Sequence, residues 1–220
     1  MIGISIEKRI KELVPKIQLL CVEVDVKVGE SSERFWKTEV EGRLNKIRLH
    51  TKLEDIANIP PNHETREAYK MCGKDPTRYR PSSEALLRRV INGKGLYHVN
   101  NVVDTLNLVS VVSGYSIGGF DMEKIKGEIR LDIGDTAAYE AIGRGELNIE
   151  NMPALRDDLG FFGTPTSDST RTMVRDSTKK FLMVFYDFLG DEVIDDTIEL
   201  TADLLIKYAK SPNFFYTICK

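Results

Sequence analysis

The stretch Tyr97–Asp121, "YHVNNVVDTLNLVSVVSGYSIGGFD", decides how the rest of the chain is read. Val102, Val103, Leu106, Val109 and Val112 recur at helical spacing and form an apolar stripe. Asn100 or Asn101 caps this helix, and Asp104 falls in its first turn, where a carboxylate suits the helix dipole. Gly114 ends it, and a Ser/Gly-rich turn follows. Asn107 is unexplained by capping. Helix propensity does not favour Asn in mid-helix, so Asn107 either faces solvent or hydrogen-bonds at a cavity edge. Positions 100, 104 and 107 put three polar tips on one side of the helix.

Working outward, "LLCVEVDVKVG" alternates as a half-buried strand, with Leu20, Val22, Val24, Val26 and Val28 on one face. Ser31 or Ser32 caps a following amphipathic helix carrying Trp36, Val40, Leu44 and Ile47. A short helix over Thr65–Cys72 stops at Gly73, and "SSEALLRRVING" is another capped helix. Pro76 and Pro81 bracket an irregular basic loop between them. From Ile117 to about Phe188 the pattern changes to short β-like pieces punctuated by Gly and Asp. "DDTIELTADLLIKYAK" returns to helix. The expected fold class is α+β, a mainly antiparallel sheet flanked by helices.

The 220 residues, 41% hydrophobic and 30% charged, have an ordinary globular balance and bury a substantial core without staples. Cys21, Cys72 and Cys219 have neither disulfide-framework nor metal-ligand spacing, and an odd count suits a reducing, cytoplasmic setting. The N-terminus is charged by position 7, unlike a signal peptide, and no apolar run approaches the roughly 20 residues needed to span a bilayer. Net charge is -3, unlike a dedicated nucleic-acid binder. The charge is uneven. Residues 74–94 carry six basic side chains, Arg78, Arg80, Arg88 and Arg89 among them, against two acidic ones. Residues 191–203 carry six acidic side chains and no basic one. These are either two solvated faces or, at 74–94, a patch facing a polyanion.

His50, His63 and His98 lie in different elements, so no metal site is expected. No phosphate-binding glycine loop and no G-x-S-x-G elbow occurs, and no cofactor is expected. The densest cluster of small polar residues is "GFFGTPTSDSTRT", Gly160–Thr172. It is either a solvent-exposed Ser/Thr turn or a loop whose hydroxyls and amides hold a polar ligand.

Together these segments resemble the B3/B4 domain of the phenylalanyl-tRNA synthetase beta chain. Asn100, Asn101, Val103, Asp104 and Asn107 match the family's Asn-rich helix entry; Gly114, Phe120 and Asp121 match its following turn. Gly160, Gly163 and Ser167 match a later Gly/Ser segment, and "KDPTRYRPSSEALLRRV" is similar to free-standing members. The resemblance covers about residues 75–188. It implies one B3/B4-like unit over 1–220, with an N-terminal strand/helix part to 74, the motif-bearing core at 75–188, and a C-terminal helix and tail from 189. Three positions depart from the family: Gly118 replaces a His, Leu106 a Thr and Thr164 a Gly.

The family's domain hydrolyses the ester of tRNA charged with a wrong aromatic amino acid. The resemblance therefore implies a pocket between the Asn-rich helix and the Gly/Ser loop, acting on misacylated aminoacyl-tRNA. No class II synthetase core is present, so aminoacylation by this chain alone is not expected. Asp168 or Asp104 would orient a water, and Asn107 would hold the substrate's ammonium or carbonyl. Asn100, Asn101, Gly118, Gly119, Gly163, Thr164, Ser167 and Thr170 would line the pocket. Space at Gly118 and Gly119 would admit another substrate, or none. Arg78, Arg80, Arg88 and Arg89 would meet tRNA phosphates. The alternative is a non-catalytic module that binds an amino acid or a tRNA end.

Overall fold

The computed structural model describes residues 2–190 and 195–220; Asp191 and Glu192 of the acidic run lie outside the described residues. At the centre is the run "KFLMVFYD", apolar on both faces, as a strand covered on both sides must be. It forms β9 (Lys180–Asp187), which pairs antiparallel with β2 (Gln18–Asp25) on one side and β3 (Ile117–Asp121) on the other. The last strand, β10 (Phe215–Cys219), adds to β2, giving the order β10-β2-β9-β3.

A second sheet lies against one face of the first. It contains β1 (Ile4–Ile6), β4 (Ile129–Ile133), β7 (Pro153–Asp157) and β8 (Gly160–Gly163) in that spatial order, and only the β1–β4 pair is parallel. β5 (Ala138–Ala141) and β6 (Gly145–Asn148) form a separate hairpin. The helices are α1 (Lys8–Leu13), α2 (Glu41–His50), α3 (Pro60–Cys72), α4 (Ser82–Ile91), α5 (Asn101–Ser113) and α6 (Asp195–Tyr208). The α+β class and the mainly antiparallel sheets flanked by helices are as expected.

Strand alternation divides the core. Leu20, Val22 and Val24 of β2, with Phe181, Met183 and Phe185 of β9, pack under α4, α5 and α6. The opposite residues, Leu19 and Cys21 with Leu182, Val184 and Tyr186, pack on Ile129, Leu131, Leu155 and Phe162 of the second sheet. β2 was expected to keep one wet face. Both faces are covered, and half-buried Glu23 accepts a hydrogen bond from the Ile2 amide at 3.0 Å. A smaller cluster joins Tyr69 of α3 to Tyr139 and Leu147 of the hairpin.

Three local features differ from the sequence expectation. Part of the expected Ser/Gly-rich turn, from Ile117, is strand β3, because the glycines at 118 and 119 admit close neighbours on both sides of the strand. The amphipathic helix after Ser32 begins as a π-helical stretch, Phe35–Val40, before α2. α3 starts at Pro60 rather than Thr65, with Pro in its first turn, where a missing amide hydrogen is tolerated.

Candidate functional site

The N-terminus of α5 is a structural clamp. The side chain of Asn100 accepts from the amides of Val102 (3.2 Å) and Val103 (2.9 Å), a full N-cap. Asn101 Oδ1 accepts from the Gly29 amide at 2.9 Å, and its Nδ2 donates to the carbonyls of Lys27 (3.0 Å) and Tyr208 (2.8 Å). Asp104 accepts from Ser31 Oγ at 2.6 Å and from the Val99 amide at 2.9 Å. Burial raises its carboxyl above the ordinary range, and these bonds oppose the rise. Asn100 thus caps the helix, Asn101 and Asp104 fasten it to the chain around 27–31, and Asn101 also ties it to the end of α6. None of their hydrogen bonds reaches the Gly160–Thr172 loop. Asn107 is half-buried, and its amide has no partner among the described residues. The helix meets Gly119 through Leu106, not Asn107: a Cβ on Gly119 would lie 2.6 Å from Leu106 Cδ1. The expected pocket wall of Asn100, Asn101 and Asp104 facing the Gly/Ser loop is therefore not formed, because their polar atoms are occupied in holding the helix.

The other group does converge. A bridge between Gly163 and Asp168 closes a tight turn, with Thr164 Oγ1 at its hub. That oxygen accepts from the Thr166 (3.3 Å) and Ser167 (3.2 Å) amides and donates to the Ser167 carbonyl at 2.9 Å. The Asp168 carbonyl accepts from the Ile142 amide at 2.9 Å, and the Thr170 amide donates to the Glu140 carbonyl at 2.8 Å. Tyr139 Oη donates to the Ser167 carbonyl at 2.6 Å, and Tyr69 Oη shares a 2.8 Å hydrogen bond with Thr166 Oγ1. The loop is thus not the solvent-exposed turn of the simpler reading: Thr164 and Thr166 are each 2% exposed.

Asp168 reaches from this turn to β3. Its Oδ2 accepts from the Gly119 amide at 3.0 Å. Its Oδ1 is sealed from solvent and has no hydrogen-bond partner among the described residues, and the same is true of Tyr186 Oη on β9. A Cβ on Gly118 would stand 3.1 Å from Asp168 Oδ1, and one on Gly163 would stand 3.1 Å from Tyr186 Oη. Burial pushes the Asp168 carboxyl up from 3.8 to about 8, against the opposing bond from Gly119. Burial, with the charge of Asp168 next, holds the Tyr186 phenol well above its usual range; burial does the same to Tyr139. A carboxyl of this kind is a neutral acid below pH 8 and a base above it, beside a phenol that remains a donor throughout.

Between the two glycines sits the ring of Phe120, packed edge-on against Phe162 with centroids 5.0 Å apart. A Cβ on Gly118 would come within 2.5 Å of Phe120 Cζ, and one on Gly163 within 2.6 Å. Both positions therefore need glycine for packing. The space expected beside Gly118 and Gly119 is filled by Phe120 and Leu106. Tyr186 was not singled out in the sequence, and Phe120 only as a match to the family's turn, because the pairing of Gly118 with Val184 that aligns β3 against β9 is what brings them here.

The basic segment is partly neutralised from within. Glu84, 1% exposed, takes Arg66 Nη1 at 3.0 Å, Arg88 Nε at 2.9 Å and Arg80 Nε at 3.3 Å. Arg89 lies over the Tyr97 ring at 3.9 Å and Arg78 lies 5.5 Å from the Tyr79 ring centre. No helix among the described residues is long and apolar enough to cross a membrane.

No curated protein matches the chain. Among solved structures, it is similar to an N-terminal fragment of the phenylalanyl-tRNA synthetase beta-subunit from Pyrococcus horikoshii, at 14% identity and a TM-score of 0.47. That likeness covers 99% of this chain and 50% of the fragment, so the chain spans half the fragment's length. The sequence profile of the B3/4 domain matches residues 64–203, which include α5, β3, the Gly160–Thr172 loop and β9. The chain belongs to the B3/4 domain family.

Proposed function

We propose that the chain hydrolyses the ester of a misacylated aminoacyl-tRNA, with Asp168 at the reacting centre. The observation that carries this reading is the buried Asp168 carboxyl, fixed through Oδ2 to Gly119 while Oδ1 and the neighbouring Tyr186 hydroxyl are unpaired among the described residues. Buried polar atoms are nearly always paired, so two orphans beside one another call for a polar partner from outside the chain. In the ionised state Asp168 takes a proton from a water attacking the ester carbonyl. The neutral Tyr186 hydroxyl donates to the oxygen that becomes negative, and the departing ribose oxygen then takes up the proton. Gly118, Gly119, Gly163, Thr164, Ser167 and Thr170 shape the walls, and Leu106 is the α5 residue that reaches them, at Gly119. The ring of Phe120 must leave the space between Gly118 and Gly163 for an ester to approach. Of the four arginines of the basic segment, Arg78 and Arg89 are the ones not committed to Glu84 and are the first candidates for tRNA phosphates; Arg80 and Arg88 add their charge beside them.

The test is deacylation of a panel of misacylated tRNAs by the purified chain. Turnover should rise with pH to a plateau above about 8, following ionisation of Asp168. Asp168→Asn should lower it by about a hundredfold or more, the usual scale for a positioned base. Activity untouched by Asp168→Asn would end the assignment. One observation favours a second reading. With Phe120 filling the space and Gly118 in place of an imidazole, the same walls suit an amino-acid or tRNA-end binding module without chemistry. Calorimetric binding of aromatic amino acids, with no deacylation of any tRNA in the panel, would select that reading.

A further inference from the structure

A cleft of about 390 Å³ opens between the π-helical stretch Phe35–Val40, α2 and residues 94–98. None of its lining residues belongs to the Asp168 site. Its size lies in the range of small-ligand sites, about 300–1,000 Å³. Along it the Trp36 indole and the His98 imidazole are stacked, with centroids 3.8 Å apart and planes at 15°. Phe35, fully buried, braces the indole edge-on at 5.4 Å, and the π-helical turn that carries both is a local irregularity common at functional sites. His98 is exposed, so the stack is open to a further planar group.

The same cleft carries Arg48 and Lys94, with Glu41 as its one acidic residue. Arg48 is pre-positioned: Nε donates to the Val90 carbonyl at 3.1 Å and Nη1 to Asn45 Oδ1 at 2.8 Å. Its Nη2 and the Lys94 ammonium have no partner among the described residues. A fixed guanidinium with a mobile ammonium suits phosphate oxygens, and a flat aromatic pair suits any nucleobase. We infer that this cleft binds one nucleotide unit, its base stacked on the Trp36–His98 pair and its phosphate held by Arg48 and Lys94. Glu41 accepts from ribose hydroxyls or a base amino group. The unit is a free nucleotide or a residue of a single-stranded RNA; the recognised chemistry, base plus phosphate, is the same.

Trp36 is the only tryptophan of the chain, so its fluorescence reports the cleft directly. The full chain is titrated with AMP, adenosine, inorganic phosphate and a short single-stranded adenosine oligonucleotide. AMP should quench saturably, and adenosine should bind about tenfold more weakly, the scale of one charge-assisted hydrogen bond. Phosphate alone should not quench. Arg48→Ala with Lys94→Ala should bring AMP to the adenosine level; if that variant fails to fold, the exposed Lys94→Ala alone carries the test. A tighter oligonucleotide than AMP identifies RNA as the source, and a weaker one identifies free nucleotide. Asp168→Asn should leave the quench unchanged, which keeps this site separate from the proposed hydrolytic one. Absence of quenching by both AMP and the oligonucleotide, equal affinity for AMP and adenosine, or unchanged AMP binding in the folded variants would overturn the inference.

Discussion

Replacing Asp168 by Asn should remove a pH dependence from the stability of the fold. In the folded chain burial holds this carboxyl near 8, against an ordinary 3.8. The unfolded chain releases the proton near about pH 4, so between about 4 and 8 the folded state binds a proton that the unfolded state does not. Stability linked to the neutral carboxyl is complete below about pH 4 and is lost as pH rises to about 8. At about 1.4 kcal/mol for each pH unit, the full loss is roughly 6 kcal/mol. Asp168 as a residue keeps partial exposure although its Oδ1 is sealed, so that figure is a ceiling and a few kcal/mol is the expected size. Tyr139 and Tyr186, which face it, are held above their usual range and stay neutral throughout this window. The assay is urea unfolding followed by far-UV circular dichroism from about pH 5 to about pH 9. The stability of Asp168→Asn relative to the parent should climb with pH and level off above about 8. A difference that is flat with pH, or that grows toward acid, would refute the reasoning.

Other expectations follow from the same geometry. Asn101→Ala loses three hydrogen bonds to the backbone at Gly29, Lys27 and Tyr208 and should cost about 3 kcal/mol by chemical denaturation, without a specific effect on turnover. Glu84→Gln leaves Arg66, Arg80 and Arg88 crowded without their shared anion and should cost about 3 kcal/mol, with Arg66→Ala partly restoring the loss. Gly163→Ala drives a methyl into Phe120 and should lower stability by about 1–3 kcal/mol, whereas Gly163→Ala combined with Phe120→Leu should recover part of it. If tRNA binds, Arg78→Ala with Arg89→Ala should flatten the salt dependence of affinity by about two counterions, and Arg80→Ala with Arg88→Ala by less.

The elements with strong periodicity were legible in the chain. The alternation at 20–24, the helix at 82–91, the Asn100-capped helix at 101–113, and the apolar run at 180–187 all read directly as local structure, although the serines expected to cap the 82–91 helix lie inside it, after Pro81. β1, α1 and β10 did not, because each is short and is defined by pairing or packing with distant residues, as Ile4–Ile6 is by Ile129–Leu131. In the candidate site, Gly163, Thr164, Ser167 and Asp168 stood out as a small polar cluster, and the structure turns that cluster inward through Tyr139 and Tyr69. The asparagines were ambiguous for a physical reason: an Asn that caps a helix or clamps a loop uses the same residue type as one lining a pocket. Only the partners at Gly29, Lys27 and Tyr208 separate the two, and those lie about seventy or more positions away. Tyr186 gave no signal, since a tyrosine within an apolar strand is ordinarily core.

Steady-state deacylation of misacylated tRNA by the parent chain, Asp168→Asn and Tyr186→Phe, measured side by side across the pH range, bears most directly on whether the orphaned carboxyl and phenol act together. Both variants should fold and both should lose most of the turnover, with the rise toward pH 8 absent in Asp168→Asn. Parent-like turnover and an unchanged pH profile in either folded variant would contradict the account.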